Sequence, residues 1–428
     1  MTQGGDPPAG TVVLIGGRAE REFTIVHDLG YRILYLDRQV PMQCVFWADV
    51  PVDVDVDDWD QVRDTIKARL GGAAPAAVLT HVEPRIPLMA HLTEQLLAER
   101  RGLSAEAAWN CRDKLRTRER LREAGLPVPG FGLAAGAEDA VQVAETIGLP
   151  VVVKPRDGAG AFGVRRCVTT DEVREAAAGI LADPGPGTQA GVLVEEYVDG
   201  PEYAVQTLTQ AGRTRLLSVF RQHMTEPPVF VELGYEHPSG LDAAGEATLA
   251  DVVTAALAAL GVTDWISHTQ VRLGPEGFRV VEVNARRPGG RLVEMTTAVS
   301  GVDMTVAATQ LALGLPVDAG PPRAAHALYS SVVFDEPGLV TYRTDIDPSA
   351  FPGPIPPIVE VEVAPGEPVL PKDHPGGGVY GRIVVFGDTR AEVADGVRRI
   401  REHLDLRVTP TDDLATSRSD SREFKSCC

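Results

Sequence analysis

The chain has 428 residues, 44% hydrophobic and 24% charged, with 41 Lys and Arg against 60 Asp and Glu for a net charge of −19. That length exceeds one compact core and points to two to four lobes. The acidic balance repels phosphate backbones and argues against a nucleic-acid partner, and no apolar run reaches the roughly 20 residues that span a bilayer.

Met1 to Gly10 is polar and rich in Pro and Gly, without the basic start and apolar stretch of a signal peptide, so a cytoplasmic protein with no membrane partner is the expectation. Thr11 to Gly17, TVVLIGG, reads as a buried parallel strand entering a tight turn. Tyr31 to Asp37 and Ala76 to Thr80 read as further strands, and Ile86 to Arg100 as a helix. Alternating strands and helices imply a doubly wound α/β lobe. Gly16 and Gly17 do not complete a GxGxxG, so a dinucleotide is not expected there.

Ala107 to Ala124 reads as one basic helix with Asn110 as its N-cap, stopped by Gly125 and Pro127. A helix is expected over Ala137 to Ile147 and a strand over Val151 to Lys154. Val192 to Tyr197 and Glu202 to Leu208 read as strands of a hairpin turning at Asp199-Gly200. Gly245 to Leu260 is the cleanest amphipathic helix. Strands follow near Ser267 to Leu273 and Phe278 to Val283, then a helix over Val302 to Leu313. Beyond the Pro-rich Gly320 to Pro322, strands at Val359 to Val363 and Val379 to Phe386 and a helix at Arg390 to Leu404 suggest a small α+β lobe. Of the five cysteines, Cys44, Cys111 and Cys167 are expected reduced and partly buried; Cys427 and Cys428 end a polar tail expected to be disordered.

Three stretches carry chemistry. In VVVKPRDGAGAFG a strand delivers Lys154 to a loop of Gly158, Gly160 and Gly163. Such glycines let backbone N–H groups approach phosphate oxygens, and the lysine adds a point charge. It is not a Walker A loop, because no Gly-Lys-Ser/Thr follows at the required spacing. A solvated surface loop is the plainer alternative. In EEYVDGPE, the strand end Glu195-Glu196 running into Val198 presents backbone groups that suit an adenine edge, and Glu202 suits ribose hydroxyls; a solvated acidic hairpin is the alternative. In HTQVRLGPEGFRVVEVNARRPGG, Gln270 and Glu282 lie on two strands joined at Gly274-Pro275, and Asn284 shares the phase of Glu282. Three such oxygens suit Mg²⁺ shared with phosphates, with Arg286 placed to neutralise a transferring phosphoryl group. Gly289 and Gly290 free backbone N–H groups to approach a ligand. An ordinary hairpin is the alternative. Glu83, His268 and Arg287 are candidates for holding substrate, with Glu83 at the carboxyl end of a strand; His237 is a weaker one.

In this order the stretches resemble ATP-grasp carboxylate–amine ligases, closest to the L-amino acid ligase branch, strongly from Ala107 to Leu315. The resemblance implies an ATP-grasp fold: an N-terminal doubly wound α/β domain over 1–105, a central domain over 106–318, a lid-like α+β subdomain over 319–408 and a tail over 409–428. It implies ATP with Mg²⁺, or Mn²⁺ in its place, and small carboxylate and amine substrates; homodimers are common in the family. Lys114 matches the lysine on the α-phosphate and Lys154 the one on the α- and β-phosphates. Gly158, Gly160 and Gly163 match the closing flap. Glu195, Glu196 and Val198 match the adenine hinge, and Glu202 the ribose contact. Glu282 and Asn284 match metal ligands, and Arg286 the arginine beside the transferred group. Gln270 departs from the usual Glu and lowers the charge of the metal site. Other members of the same fold act on bicarbonate or purine precursors, and a nucleotide-binding scaffold without catalysis is a third reading.

Overall fold

A computed structural model describes residues 10–99, 101–158, 163–182, 191–226, 230–351, 353–374 and 377–411. Gly160, Cys427 and Cys428 lie outside the described residues, as does most of the expected tail. The first lobe runs β1 (Thr11–Ile15), α1 (Glu20–Asp28), β2 (Arg32–Asp37), α2 (Met42–Trp47), β3 (Val50–Asp53), α3 (Trp59–Arg69), β4 (Ala77–Leu79) and α4 (Ile86–Leu96). Its four strands are all parallel in the order β3-β2-β1-β4. The central position of β1 explains its sequence: Val12 to Ile15 are covered on both faces, so apolar side chains do not alternate with polar ones.

The segment expected as one basic helix is two, α5 (Ala105–Arg112) and α6 (Lys114–Glu123). Asp113 breaks it. Its backbone is extended, and its carboxylate accepts from the Leu115 and Arg116 N–H groups at 3.0 and 3.4 Å as an N-cap. Ser104, not Asn110, caps α5, accepting from Ala107 N–H at 3.1 Å. Asn110 instead reaches the Leu260 carbonyl.

Next come β5 (Phe131–Ala134), α7 (Ala137–Ile147), β6 (Val151–Pro155), β7 (Arg165–Cys167), α8 (Thr170–Ala182) and β8 (Val192–Glu196). The strands form an antiparallel sheet, β5-β8-β6-β7, and α7 and α8 fill one face with a core of their own. Then follow β9 (Glu202–Gln210), β10 (Arg213–Met224), β11 (Glu232–His237), α9 (Ala243–Leu260), β12 (Trp265–Gly274), β13 (Gly277–Asn284), α10 (Leu292–Ser300) and α11 (Met304–Leu313). The C-terminal segment adds β14 (His326–Ser331), β15 (Gly338–Thr341), β16 (Ile358–Val361), β17 (Pro368–Val369), β18 (Gly381–Gly387), α12 (Arg390–Leu404) and β19 (Arg407–Pro410). Three of its strands extend the central sheet, in the order β13-β12-β9-β10-β11-β14-β18-β16. By length and composition α9 is apolar enough to cross a membrane. Here Leu249, Val253, Ala256, Leu257 and Leu260 are buried within the core that the first lobe shares with the central sheet.

β8 and β9 are not the hairpin expected from Asp199-Gly200. They belong to different sheets, and the turn carries the chain from one to the other. Gly200 has φ +142°, and a Cβ there would lie 2.0 Å from the Leu273 carbonyl oxygen. Glycine is required by this close backbone approach. Gly200→Ala is expected to cost about 1–3 kcal/mol of stability through overpacking, read as a lowered urea midpoint. The cysteines Cys44, Cys111 and Cys167 are buried free thiols.

Candidate functional site

Register assembles one face of the central sheet. His268 pairs with Asn284 and Gln270 with Glu282 across β12 and β13. On β9 the partners of Gln270 and Arg272 are Ala204 and Glu202. Gln222 on β10 faces Glu202, and Tyr235 on β11 faces Gln222. Directly paired residues point to the same side of a sheet. Asn284, Glu282, His268, Gln270, Arg272 and Glu202 therefore form a polar strip, whereas Tyr203, Val205 and Val271 face the apolar core behind it.

Two lysines from separate elements reach this seam. Lys114, at the start of α6, lies 2.9 Å from Glu282 Oε1 and donates to the Gly158 carbonyl at 2.7 Å. Lys154, on β6, lies 2.7 Å from Glu195 Oε2. Asp113 holds the two lysines in register. It is buried, and besides capping α6 it takes the Arg156 guanidinium through both oxygens, while Lys114 N–H donates to the Arg156 carbonyl. The Asp113-Lys114 pair thus interlocks with Lys154-Pro155-Arg156.

Arg118 was not singled out in the sequence. It is 1% exposed, sits 2.7 Å from Glu195 Oε1, donates to Glu195 Oε2 at 3.0 Å and to the Val281 carbonyl at 2.6 Å. It joins α6, the four-stranded sheet and the central sheet at one point. A signal existed: Lys114 and Arg118 are four residues apart on a helix, and Lys114, Thr117, Arg118 and Leu121 are its buried face.

Burial tends to raise the Glu195 carboxyl, but Arg118 and then Lys154 outweigh it and hold the group down at about 2. For Glu282 burial again opposes, and Lys114 carries the group well below the carboxylate range. Burial lowers Lys154 while Glu195 works the other way. His268 is pushed down to about 3, by burial first and then by Arg286; its Nδ1 is 3.1 Å from Gln206 Oε1. His81, beyond β4, is lowered to about 4 by burial.

Acidification is therefore expected to destabilise the protein in two stages. The folded values of His81 and His268 lie below the ordinary 6.5, so the unfolded chain binds protons first as pH falls from about 6.5. Glu195 adds to the loss from about 4.5 down through about 2. Each group contributes a slope of at most about 1.4 kcal/mol per pH unit, read as urea midpoints stepped in pH.

The remaining candidates fall as follows. The Glu195 side chain is turned inward onto Arg118 and Lys154, and the Glu196 carboxylate accepts from Gly130 N–H at 3.0 Å. Glu202 takes Arg272 at 2.8 Å, and the same guanidinium donates to the Val198 carbonyl at 3.1 Å. Tyr197 lies between the Arg166 and Arg272 guanidiniums, at 4.6 and 5.3 Å from its ring centre. Arg286 does not stand apart from Glu83: its Nε is 3.0 Å from Glu83 Oε2, Nη2 meets the same oxygen, and Arg112 holds Oε1 at 3.2 Å. Arg287 pairs with Glu22 on α1 at 2.5 Å. Gly289 leads into α10, its carbonyl accepting from Leu292 N–H. His237 Nδ1 meets the Val219 carbonyl at 2.9 Å. Gly158 and Gly163 flank the undescribed centre of the Gly-rich loop.

Gln270, Glu282 and Asn284 offer oxygen donors of the kind hard cations take, with a single carboxylate among them. Among the described residues no group of three or more His, Cys, Asp and Glu could hold a metal. This donor set fits Mg²⁺ that also takes phosphate oxygens, and does not fit an all-protein cage. A cavity of about 500 Å³ lies away from these groups, between Phe351 and α12.

The ATP-grasp domain profile matches residues 147–295. Carnosine synthase 1 of Gallus gallus is 31% identical over 273 residues, 60% of this chain and 29% of that protein. D-alanine–D-alanine ligase of Pseudomonas fluorescens is 29% identical over 204 residues, 45% of this chain and 59% of that protein. The chain thus spans less than two thirds of either relative. The L-amino acid ligase of Bacillus licheniformis superposes with a TM-score of 0.75 at 22% identity, covering 95% of this chain and 100% of that one.

Proposed function

We propose, from the premise that this chain has the ATP-grasp fold and carries an ATP-grasp domain, that it is an ATP-dependent carboxylate–amine ligase working through an acyl phosphate on amino acids or other small carboxylic acids, in the cytoplasm. The observation that carries the reading is the 2.9 Å contact between Lys114 and Glu282. It supports the reading because it sets the cationic cluster against the oxygen-donor strip, the arrangement a metal-bound triphosphate would need.

A substrate carboxylate oxygen attacks the γ-phosphorus, and the bond from that phosphorus to the β–γ bridging oxygen breaks, releasing ADP. The nitrogen of a neutral amine then attacks the acyl carbon, the carbon–oxygen bond to phosphate breaks, and the nitrogen loses a proton. Lys114 and Lys154 bind the polyphosphate as point charges. Arg286, aimed by Glu83, neutralises the transferring group, so Glu83 acts through Arg286 and not on the substrate. Val198, Glu196 and Glu202 take the nucleoside. Gln270, Glu282 and Asn284 would hold Mg²⁺, which when bound offsets phosphate charge. The acyl phosphate must be kept from water until the amine attacks. Placement supplies about 7–11 kcal/mol of the barrier reduction in such reactions.

Phosphate and ADP release over pairs of amino acids, with mass spectrometry of the product, tests the reading. Release stimulated by bicarbonate alone, or ATP binding with no turnover on any pair, overturns it. Gln270→Glu restores a second carboxylate and is expected to lower the Mg²⁺ concentration for half-maximal turnover several-fold.

A further inference from the structure

The recessed acids around the seam are nearly all neutralised. Glu22 has Arg287, Glu83 has Arg286 and Arg112, Glu195 has Arg118 and Lys154, Glu202 has Arg272, and Glu282 has Lys114. Glu232 differs. It opens β11 and is half-buried, and among the described residues no Lys, Arg or His lies within 4 Å of its carboxylate. Its hydrogen-bond donor is a phenol: the Tyr235 hydroxyl donates to Oε2 at 2.7 Å. Arg382, whose charge acts on Glu232, is itself taken by Glu362 and by Glu360 at 3.5 Å. Burial raises the Glu232 carboxyl above its ordinary value, against the opposing effects of the Tyr235 phenol and of Arg382.

The cluster adjoins the polar strip. Tyr235 pairs with Gln222, whose Oε1 accepts from Gln270 at 3.3 Å. Tyr235 and Tyr329 are paired across β11 and β14, edge to face with centroids 5.7 Å apart. A Cβ on Gly290, in the loop after Arg286 and Arg287, would stand 3.8 Å from the Tyr329 ring. A carboxylate beside two aromatic rings suits an organic cation, which it can neutralise while the ring faces attract it.

We propose that Glu232, framed by Tyr235 and Tyr329, seats a primary ammonium group of a substrate of the ligase proposed above. β11 lies three strands from β12, about 14 Å at the usual strand spacing. Side chains close part of that gap, but an α-ammonium and its own carboxylate are too near each other to engage both ends. The substrate class is therefore an amino acid with its amine at the far end of the chain, an ω-amino acid.

The test titrates the full-length protein, loaded with ADP and Mg²⁺, by calorimetry with 4-aminobutyrate and 6-aminohexanoate, each against butyrate or hexanoate. At least one amino acid is expected to bind tenfold or more tightly than its des-amino partner. Glu232→Gln is expected to erase that preference and leave the ADP Kd unchanged. Tyr235→Phe, which keeps the ring and removes the hydroxyl bound to Glu232, retains the preference in weaker form and serves if Glu232→Gln does not fold. Equal binding of both members of each pair by the native protein, or a preference that survives Glu232→Gln, overturns the proposal. Failure of ADP binding, or of ADP formation with every carboxylate–amine pair, would instead bring down the ligase reading itself.

Discussion

Alanine at Glu195 is expected to lower the stability of the protein by about 3–5 kcal/mol, the usual cost of breaking a buried ion pair from one side. Glu195 is 3% exposed and is the shared anion of Arg118 and Lys154, which are 1% and 4% exposed. Its removal leaves two cations facing each other with little solvent. Lys154 can lose its proton, but Arg118 cannot at any working pH. The Arg118 bond to the Val281 carbonyl also ties α6 to the central sheet, so the damage extends beyond the four-stranded sheet. Urea unfolding at pH 7 measures it. A double change, Arg118→Met with Glu195→Ala, should recover part of the loss, since it removes the stranded guanidinium along with the acid. If Glu195→Ala unfolds at the native urea midpoint, the ion-pair account of this junction is wrong.

The second large effect is on turnover. Lys154→Ala and Glu282→Ala are each expected to reduce kcat about 10²–10³-fold, the range for deleting one group that stabilises developing charge. Stability should separate the two. Lys154→Ala leaves Glu195 paired with Arg118, while Glu282→Ala leaves Lys114 with the Gly158 carbonyl as its remaining contact. The latter should unfold at lower urea. The losses should not add in the double variant if, as proposed, both residues serve the same polyphosphate. ADP-forming turnover measured with any active substrate pair decides the matter, and unchanged rates would remove Lys154 and Glu282 from the site.

These expectations rest on contacts of unequal visibility in the chain. The local chemistry was legible. Alternating elements announced the first lobe, the Lys154 strand with its glycines stood out, and the two-residue phase of Glu282 and Asn284 placed both on one face. Asp113 was harder to read. A basic segment without Gly or Pro looks like continuous helix, yet an aspartate that can cap a new helix and take Arg156 ends the old one. Asp199-Gly200 misled in the opposite sense, because the same φ > 0 turn can close a hairpin or let two backbones touch.

By itself, then, the sequence offered the candidate groups for phosphate and metal, since candidacy follows from residue type and short periodicities. Tertiary structure alone decided their partners. That Arg286 is held by Glu83 from another lobe and that Arg118 shares Glu195 with Lys154 are contacts across long separations. Charge compensation depends on distance in space, and spacing along a chain carries no trace of it until strand order and register have been set.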